Sequence, residues 1–372
     1  MIKVCHILDN LNVGGLEKIA VDIALNLKGY EHSIWCLKQK GEMAGELEAR
    51  GISVKAFGFE GRLSFSALSR LARALRAGQF RIIHCHGMFP SIWARSAAIL
   101  AGVPIRIVHC HSTYYGLSLK DRTRLWLLSF RTTAVIAVSQ AVKKSLTKYL
   151  GIAGRRITVI YNGVDDIACD KSNARDEIRA GLGLAPDDFV VGCVGRLVGM
   201  KGHKYLIDAV SFVRRVHRSC RCVIIGEGPA RQDIEALVKE SGLEHSVLLL
   251  GMRRDIPALL SALDMLASPS TIKEGLPLVL AEGAAMGLPL VATDIGGSPE
   301  IVDDSVNGFI IAPRDASALA DKISFLIEHP DARKAMAAQS RRIWAERFRK
   351  DVMMDKIGRI YRDALEKSGL LT

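Results

Sequence analysis

Several kinds of segment are missing from this 372-residue sequence, and each absence excludes a class of protein. There is no low-complexity tract, which excludes a repetitive chain. The eight cysteines include no C-x-x-C pair and mostly lie in apolar runs, so we expect reduced, buried thiols instead of a disulfide framework. The smoothest apolar stretch, residues 275–293, contains Glu282 and Pro289. A membrane span needs ~20 largely uncharged residues, so none is predicted here.

The start of the chain carries no recognisable targeting segment. MIKVCHILDNLNVGG has one early lysine and a short apolar run, followed by acidic and polar residues. A secretion signal has a basic start and a longer apolar core, so this stretch is predicted to be a first buried strand. We therefore expect a cytoplasmic protein, with peripheral attachment to the inner face of the membrane left open.

Acidic residues are scarce in the first half of the chain. Residues 1–167 contain 23 lysines and arginines against 11 aspartates and glutamates, whereas the remaining residues contain 28 of each. The whole net charge of +12 therefore lies in the first half. Such a half suits an anionic partner, namely lipid headgroups, a phosphorylated acceptor or nucleic acid. A solvated basic face without a partner is the alternative.

Short apolar runs alternate with helix-length amphipathic segments along the whole chain. Runs that are apolar on both faces are typical of parallel strands covered by helices. We therefore predict an α/β protein with two Rossmann-like, doubly wound domains, divided within the polar stretch 161–177. The expected extents are 1–166 and 167–350, followed by a C-terminal helix over 351–372 that packs back on the first domain.

The tripeptide His-Cys-His ends two strand candidates, at His84–His86 and His109–His111. Side chains alternate faces along a strand, so each cysteine points away from its two histidines. A four-histidine metal site would place two ligands deep in the sheet, and we therefore predict no metal here. His84 and His109 are expected to be satisfied interior residues. His86 and His111 stand at the carboxyl ends, where ligands bind in such sheets, and are functional candidates. A neutral imidazole at His111 could hydrogen-bond a sugar hydroxyl.

Two cations, Arg196 and Lys201, follow a buried strand candidate within the glycine-containing turn VGRLVGMKG. A guanidinium binds two phosphate oxygens at once, and an ammonium adds a point charge. The pair therefore suits a pyrophosphate. An ordinary surface loop is the alternative for this motif taken alone.

The stretch EGLPLVLAEGAAM is more specific. Gly275 permits close approach of the backbone to a ligand, and Pro277 suits the first turn of a helix predicted over 278–286. The backbone N–H groups near Leu276 then form an anion site at the start of that helix.

Two carboxylates bracket this predicted anion site. Glu274 precedes the helix, and Glu282 lies roughly 7–8 Å along its axis. Carboxylates accept hydrogen bonds from the vicinal hydroxyls of ribose or hexose. A compound with hydroxyls at both ends and a pyrophosphate between them is a nucleotide sugar.

A glycine pair, Gly14 and Gly15, separates the first strand candidate from the first helix. The pair is not part of a G-x-G-x-x-G motif, and a plain tight turn is an alternative. Its place after a strand adds both glycines to the donor-binding candidates.

These motifs together resemble the retaining glycosyltransferases of family 4. The resemblance runs in order along nearly the whole chain and includes GGLE, both HCH strand ends, IYNGVD, VGRLVGMKG, IIGEGP and the E-x7-E pair. It implies the GT-B fold, in which two Rossmann-like domains face each other across a cleft and the C-terminal helix crosses back. It also implies a nucleotide-sugar donor, with no metal or other cofactor.

The resemblance assigns roles by motif position. Arg196 and Lys201 would hold the diphosphate, Glu274 would contact the donor sugar, and Glu282 would contact the ribose. In a front-face substitution the leaving diphosphate helps to deprotonate the acceptor. The two cations would then stabilise the charge that develops on the leaving group.

Three residues of the first domain complete the assignment. Gly15 would approach the phosphates, and His111 would lie near the sugar as a catalytic residue, together with the cations and Glu274. His86 is placed on the acceptor side.

The favoured function is sugar transfer from a nucleotide sugar to a lipid-linked or cell-surface glycan, with an anionic membrane surface as a further partner. A nucleotide-sugar epimerase of similar fold, which turns over donor without an acceptor, is the alternative. Nucleic-acid binding is not predicted, because no basic stretch has interleaved aromatic residues or a recognition-helix pattern.

Overall fold

The computed structural model describes residues 1–59, 64–167, 171–272 and 274–371, which form two compact units. The first unit contains Met1–Asn162 and Asp351–Thr372, and the second contains Gly163–Lys350. Cys169 lies outside the described residues. The other seven cysteines are buried and free, as their apolar surroundings predict.

The first unit is built on a seven-stranded parallel sheet with the order β3-β2-β1-β4-β5-β6-β7. Nearly every residue of the central strands is buried on both faces, which explains their continuous apolar sequence. The strands are β1 (Ile2–Leu8), β2 (Tyr30–Cys36), β3 (Ser53–Ala56), β4 (Ile82–His86), β5 (Ile105–Cys110), β6 (Ala134–Ala137) and β7 (Ile157–Val159).

Helices connect these strands, and three of them begin at a serine cap. The hydroxyls of Ser64, Ser118 and Ser139 accept hydrogen bonds from backbone N–H groups of the first helical turn. The helices are α1 (Gly15–Asn26), α2 (Ala44–Ala49), α3 (Phe65–Gly78), α4 (Met88–Ala101), α5 (Leu119–Ser129) and α6 (Gln140–Leu150), with a 3-10 turn at Gly154–Arg156.

The second unit repeats the architecture with a six-stranded parallel sheet of the order β10-β9-β8-β11-β12-β13. Its strands are β8 (Phe189–Val194), β9 (Cys220–Ile225), β10 (Val247–Leu249), β11 (Met265–Ser268), β12 (Leu290–Thr293) and β13 (Gly308–Ile311). Its helices are α7 (Lys171–Gly181), α8 (His203–Arg214), α9 (Arg231–Glu240), α10 (Ile256–Ser261), α11 (Leu278–Met286), α12 (Ala316–Glu328) and α13 (Pro330–Arg347), with 3-10 turns at Gly199–Lys201 and Ser298–Glu300.

The last helix, α14 (Lys350–Lys367), packs on the first unit. Tyr361 on this helix is fully buried, and its ring meets that of Tyr30 edge-on at 5.2 Å between centroids. The Tyr361 hydroxyl lies 2.7 Å from His84 Nδ1. The end of the chain therefore covers one face of the first sheet.

Strand order reverses next to the first strand of each sheet, between β1 and β4 and between β8 and β11. Ligands of open α/β sheets bind beyond the carboxyl ends of strands at such points. The glycine pair follows β1 and His86 ends β4, while Arg196 and Lys201 follow β8 and Glu274 follows β11. Within the described ranges, no helix has the length and apolarity needed to cross a bilayer.

Candidate functional site

The loops that follow β8 and β11 are locked together at Gly202. This glycine adopts φ +72°, and a Cβ atom there would lie 1.9 Å from the carbonyl oxygen of Pro269. The backbone N–H of Thr271 donates to the carbonyl of Met200 at 2.8 Å. Only glycine permits this approach, and the contact fixes the position of Lys201 relative to the loop that carries Glu274.

Lys201 and Glu274, 73 residues apart in sequence, form an ion pair of 2.6 Å between Nζ and Oε1. The hydroxyl of Ser270 donates to the same oxygen, also at 2.6 Å. Glu274 is only 8% exposed, so its charge is stabilised by these two donors and not by bulk water. Two of the four predicted donor-binding side chains of this unit are therefore in direct contact.

The loop after β12 holds the backbone of Glu274 from another direction. Gly296 has φ +59°, and a Cβ atom there would lie 2.0 Å from the carbonyl oxygen of Glu274. The hydroxyl of Thr293, at the end of β12, donates to the carbonyl of Ser270 at 2.5 Å. The loops after three neighbouring strands thus converge on Glu274.

Helix α11 starts directly behind this carboxylate, with Pro277 as its cap residue. Among the described residues, no side chain caps this helix start. Gly275 and Leu276 are buried beside it, whereas Glu282, the fifth residue of α11, is partly exposed. An uncapped helix start carries the partial positive charge that favours an anion.

Positive charge at this edge comes from Arg196 and Lys201. Arg196 is exposed, and its guanidinium has no hydrogen-bond or ion-pair partner among the residues that the structure describes. His203 also lies close by, but burial, followed by the influence of Lys201, lowers its pKa to about 4. His203 is therefore neutral at pH 7.

The glycine pair of the first unit is placed where the sequence predicts, but its conformation is ordinary. Gly14 caps α1 with an extended backbone (φ −166°, ψ 163°), which other residues adopt. A Cβ atom at Gly14 would meet the Glu17 carboxylate, the far end of a flexible side chain. Gly15 is exposed at the first position of α1. Backbone geometry alone therefore does not require glycine at position 14.

One face of the first sheet carries six histidines, which we call the histidine cluster. Neighbouring rings in the cluster have centroids 4.3–5.6 Å apart. Burial is the largest cause lowering the pKa of every member, so the cluster is uncharged at pH 7. Its members are His6, His32, His84, His86, His109 and His111.

Both ring nitrogens of His86 are engaged within the cluster. His86 is fully buried, and its Nε2 lies 3.1 Å from His6 Nδ1 while its Nδ1 lies 3.2 Å from His111 Nε2. His86 is expected on the side of the glycan acceptor. A direct contact between His86 and that substrate would require one of these hydrogen bonds to break. His111 is partly exposed, just past the end of β5.

The expectation that His84 and His109 are satisfied interior residues is wrong in one respect. Both are fully buried, but His84 Nε2 and both nitrogens of His109 have no hydrogen-bond partner among the described residues. The rings instead stack, with His84 and His109 at 5.3 Å and an angle of 14° between their planes. Two imidazoles that stack face to face do not direct their ring nitrogens at each other.

Two sets of three histidines in the cluster have ring nitrogens within 4.8 Å of one another, close enough to bind one metal ion. They are His6, His84 and His86, and His86, His109 and His111. The absence of a metal therefore stays a prediction.

Sequence reasoning missed His6, His32 and Ser270. The two histidines lie inside strand candidates, and only the placement of β1 between β2 and β4 brings them to the others. Ser270 follows β11 in the same stretch as Glu274, and a hydroxyl two residues past a strand end was the available signal.

Family models match both units. Residues 174–343 match the model described as glycosyl transferases group 1, and residues 13–166 match the model described as glycosyltransferase family 4.

Individual relatives agree with these matches. The UDP-Gal:alpha-D-GlcNAc-diphosphoundecaprenol alpha-1,3-galactosyltransferase of Escherichia coli is 30% identical over 270 residues, which cover 69% of each chain. The alpha-D-kanosaminyltransferase of Streptomyces kanamyceticus is 29% identical over 237 residues, covering 63% of this chain and 61% of that one. Crystal structures of Anabaena HepE with UDP and with UDP-glucose share 26% identity and cover 98% of this chain and 100% of theirs, with TM-scores of 0.87 and 0.88.

Proposed function

Because the chain belongs to the GT-B glycosyltransferases, which use nucleotide-sugar donors, we propose that it transfers a sugar with retention to a lipid-linked or cell-surface glycan. The observation that carries the donor half of this proposal is the contact between Lys201 and Glu274 at the reversal of strand order in the second unit. Lys201 is the cation proposed to bind the diphosphate, and Glu274 is the carboxylate proposed to bind the sugar hydroxyls; their ion pair holds the two side chains together.

We assign the donor to this edge of the second unit by the chemistry of its side chains. Arg196 offers a guanidinium that has no partner among the described residues, Lys201 offers an ammonium, and the start of α11 offers backbone N–H groups. All three favour a diphosphate. Glu274 accepts from sugar hydroxyls, and the partly exposed Glu282 accepts from the ribose.

Within nucleotide sugars, UDP-sugars are the first choice. HepE is crystallised with UDP and UDP-glucose, and the name of the E. coli relative specifies UDP-Gal. These facts concern those proteins and support the same donor class here.

Transfer is proposed to follow a front-face route without a metal ion. The bond from the sugar to the diphosphate breaks, the acceptor oxygen attacks from the same face, and its proton passes to the departing phosphate oxygen. Arg196 and Lys201 stabilise the negative charge that grows on the diphosphate, which is the largest expected contribution to the rate. His111 is proposed to hydrogen-bond a donor-sugar hydroxyl.

The proposed acceptor is lipid-linked, and the surface of the first unit supports this. Leu119, Trp126, Leu127 and Phe130, which we call the α5 face, are exposed large apolar residues on and just after α5. Basic side chains accompany them, and the guanidinium of Arg156 lies 5.9 Å from the Phe130 ring centroid. Apolar residues beside basic ones suit the interface of an anionic membrane.

The donor half is tested by thermal denaturation with UDP-glucose, UDP-galactose, GDP-mannose and ADP-glucose. A donor at 100 times its dissociation constant stabilises the folded protein by about 2.7 kcal/mol, so the matching nucleotide sugar raises the melting temperature. No shift with any of the four would contradict the proposal.

The route is tested with the responding donor and an undecaprenyl-diphosphate-linked GlcNAc acceptor. We expect activity to persist in EDTA and the product linkage to keep the donor's anomeric configuration, as read by proton NMR. An inverted product would refute retention, and loss of activity in EDTA with rescue by Mg²⁺ would refute metal independence.

A further inference from the structure

Four members of the histidine cluster form one continuous hydrogen-bonded chain. His32 Nδ1 lies 3.0 Å from His6 Nε2, His6 Nδ1 lies 3.1 Å from His86 Nε2, and His86 Nδ1 lies 3.2 Å from His111 Nε2. Every link joins an Nδ1 atom to an Nε2 atom. A neutral imidazole has one donor and one acceptor nitrogen, so the orientation of any one ring fixes that of the next.

The inner end of the chain sets its direction. His32 Nε2 lies 2.9 Å from the carbonyl oxygen of Leu27, which can only accept a hydrogen bond. His32 Nε2 must therefore carry its proton, and His32 Nδ1 must accept from His6 Nε2. The same argument repeated along the chain places the proton on Nε2 of His86 and then on Nε2 of His111.

We propose that His32, His6 and His86 are positioning residues that hold His111 with its proton on Nε2 and a lone pair on Nδ1. His111 Nδ1 is the last nitrogen of this series of rings; it is buried and has no hydrogen-bond partner among the described residues. The carbonyl oxygen of Leu27 thus fixes the tautomer of each of the four hydrogen-bonded rings, including that of His111.

Two observations support neutral rings throughout. Burial lowers the pKa of His111 to about 3, and it lowers the pKa values of His6 and His86 well below the usual range. The electrostatic neighbours of His6 and His86 are other histidines, which also disfavour a positive charge. With no ring charged, only the donor-acceptor order described above satisfies every link.

The lone pair on Nδ1 restricts what His111 can bind. It accepts a hydrogen bond from a hydroxyl, but it repels a phosphate or carbonyl oxygen, which has no proton to donate. This rests on the function proposed above: a bare Nδ1 agrees with the donor-sugar hydroxyl assigned to His111 there and disfavours the diphosphate.

The first test is made on the ligand-free protein with ¹⁵N-labelled histidine. Two-dimensional ¹⁵N–¹H NMR distinguishes a bare ring nitrogen from a protonated one, and a His111→Asn sample identifies the His111 signals. We expect a bare Nδ1 and a protonated Nε2 at pH 7. A protonated Nδ1 would overturn the proposal, and so would stoichiometric zinc in the purified protein, since a metal ion would occupy nitrogens that the chain uses.

The second test removes the anchor of the chain. In His32→Leu the order of the remaining rings is no longer fixed, and His111 Nδ1 should become partly protonated. His32→Gln keeps the wild-type pattern, because its amide N–H donates to Leu27 and its oxygen accepts from His6. His84→Phe is the matched control, since His84 lies in the cluster but hydrogen-bonds Tyr361 instead of the chain. Identical His111 spectra in the Leu and Gln variants would overturn the role of His32.

Activity gives a readout that separates positioning from folding. With a responding donor, His32→Leu should lower kcat/KM about ten-fold, as for loss of one neutral hydrogen bond, and His32→Gln should restore it. The NMR result stands whether or not a donor binds, so failure of the proposed function and failure of this inference are distinguishable. Equal kcat/KM in the Leu variant and the wild type, with an altered His111 spectrum, would show that the tautomer does not matter for transfer and would overturn the assigned ligand.

Discussion

At the scale of single residues, Lys201 has two anionic partners: the Glu274 carboxylate and, in the proposed complex, the diphosphate. In the absence of a ligand its ammonium neutralises a buried carboxylate, and in the proposed complex it must also face a diphosphate. Ser270 donates to the same carboxylate oxygen, so Glu274 keeps one hydrogen-bond donor if the ammonium turns toward the diphosphate. Arg196 is exposed and has no side-chain partner among the described residues, so in the proposed complex its guanidinium can bind phosphate without first breaking an ion pair.

Removing either cation should slow transfer without preventing folding. We expect Lys201→Ala or Arg196→Ala to lower turnover ~10²–10³-fold, the usual cost of deleting one group that stabilises transition-state charge. Steady-state kinetics with a responding donor measures this. Lys204→Ala is the matched control, because Lys204 is exposed three residues after Lys201 and should keep the wild-type rate. Near-normal turnover in both cation variants would remove them from the mechanism.

The sequence predicts that these residues follow strands, and the structure agrees, because a strand end is a local property. Arg196, Lys201 and Glu274 each follow an apolar run of their own, and parallel sheets put such ends on one edge. The imidazole chain could not be predicted in the same way. It depends on β1 lying between β2 and β4, and neither partner follows directly from a motif in β1.

At the scale of elements, close backbone contacts between loops hold the site together. Gly202 and Gly296 both take left-handed conformations, and a Cβ atom at either position would collide with a carbonyl oxygen. Such contacts carry little energy themselves, but they allow the loops after β8, β11 and β12 to meet.

Gly202→Ala should therefore destabilise the second unit. The left-handed backbone alone costs a non-glycine residue of order 1–3 kcal/mol, and displacement of the Pro269 carbonyl adds to it. Urea denaturation measures the loss, and donor binding should weaken because Lys201 moves with its neighbour. Gly199→Ala is the control, since a Cβ atom at Gly199 meets no atom of the described residues within 4 Å. Equal unfolding free energies for the two variants would contradict this account.

Strand positions are predicted from apolar runs, but strand lengths are not. Helix α11 has the predicted bounds, Leu278–Met286. β7 ends at Val159, although the next residue, Ile160, is buried and donates its backbone N–H to the carbonyl of Ala137 in β6 at 3.0 Å. Burial and backbone pairing therefore continue past the assigned end of this strand, so an apolar run does not fix the last strand residue.

For the whole molecule, the uneven charge distribution leads to a prediction about membranes. The protein should bind vesicles containing phosphatidylglycerol, lose affinity as salt rises, and ignore pure phosphatidylcholine, because exposed charges are screened within ~10 Å at 0.1 M salt. Sedimentation with vesicles measures this. Trp126→Ser on the α5 face should weaken binding.

Phe212→Ser provides the matched control for that experiment. Phe212 lies on the second unit and is 41% exposed, the same fraction as Trp126. It should leave vesicle binding unchanged. Indifference of the wild-type protein to lipid charge would count against a membrane partner.

The return of α14 to the first unit has a consequence for synthesis on the ribosome. Residues up to Asn162 emerge early, but the sheet face that carries His84 stays uncovered until Tyr361 and its neighbours have been translated. Domains generally fold in order from the N-terminus. Here some two hundred further residues are added before α14 is complete. During that time imidazoles that are buried in the finished protein are exposed to water and can be protonated. The first-translated unit therefore completes its core only after the last helix has been translated.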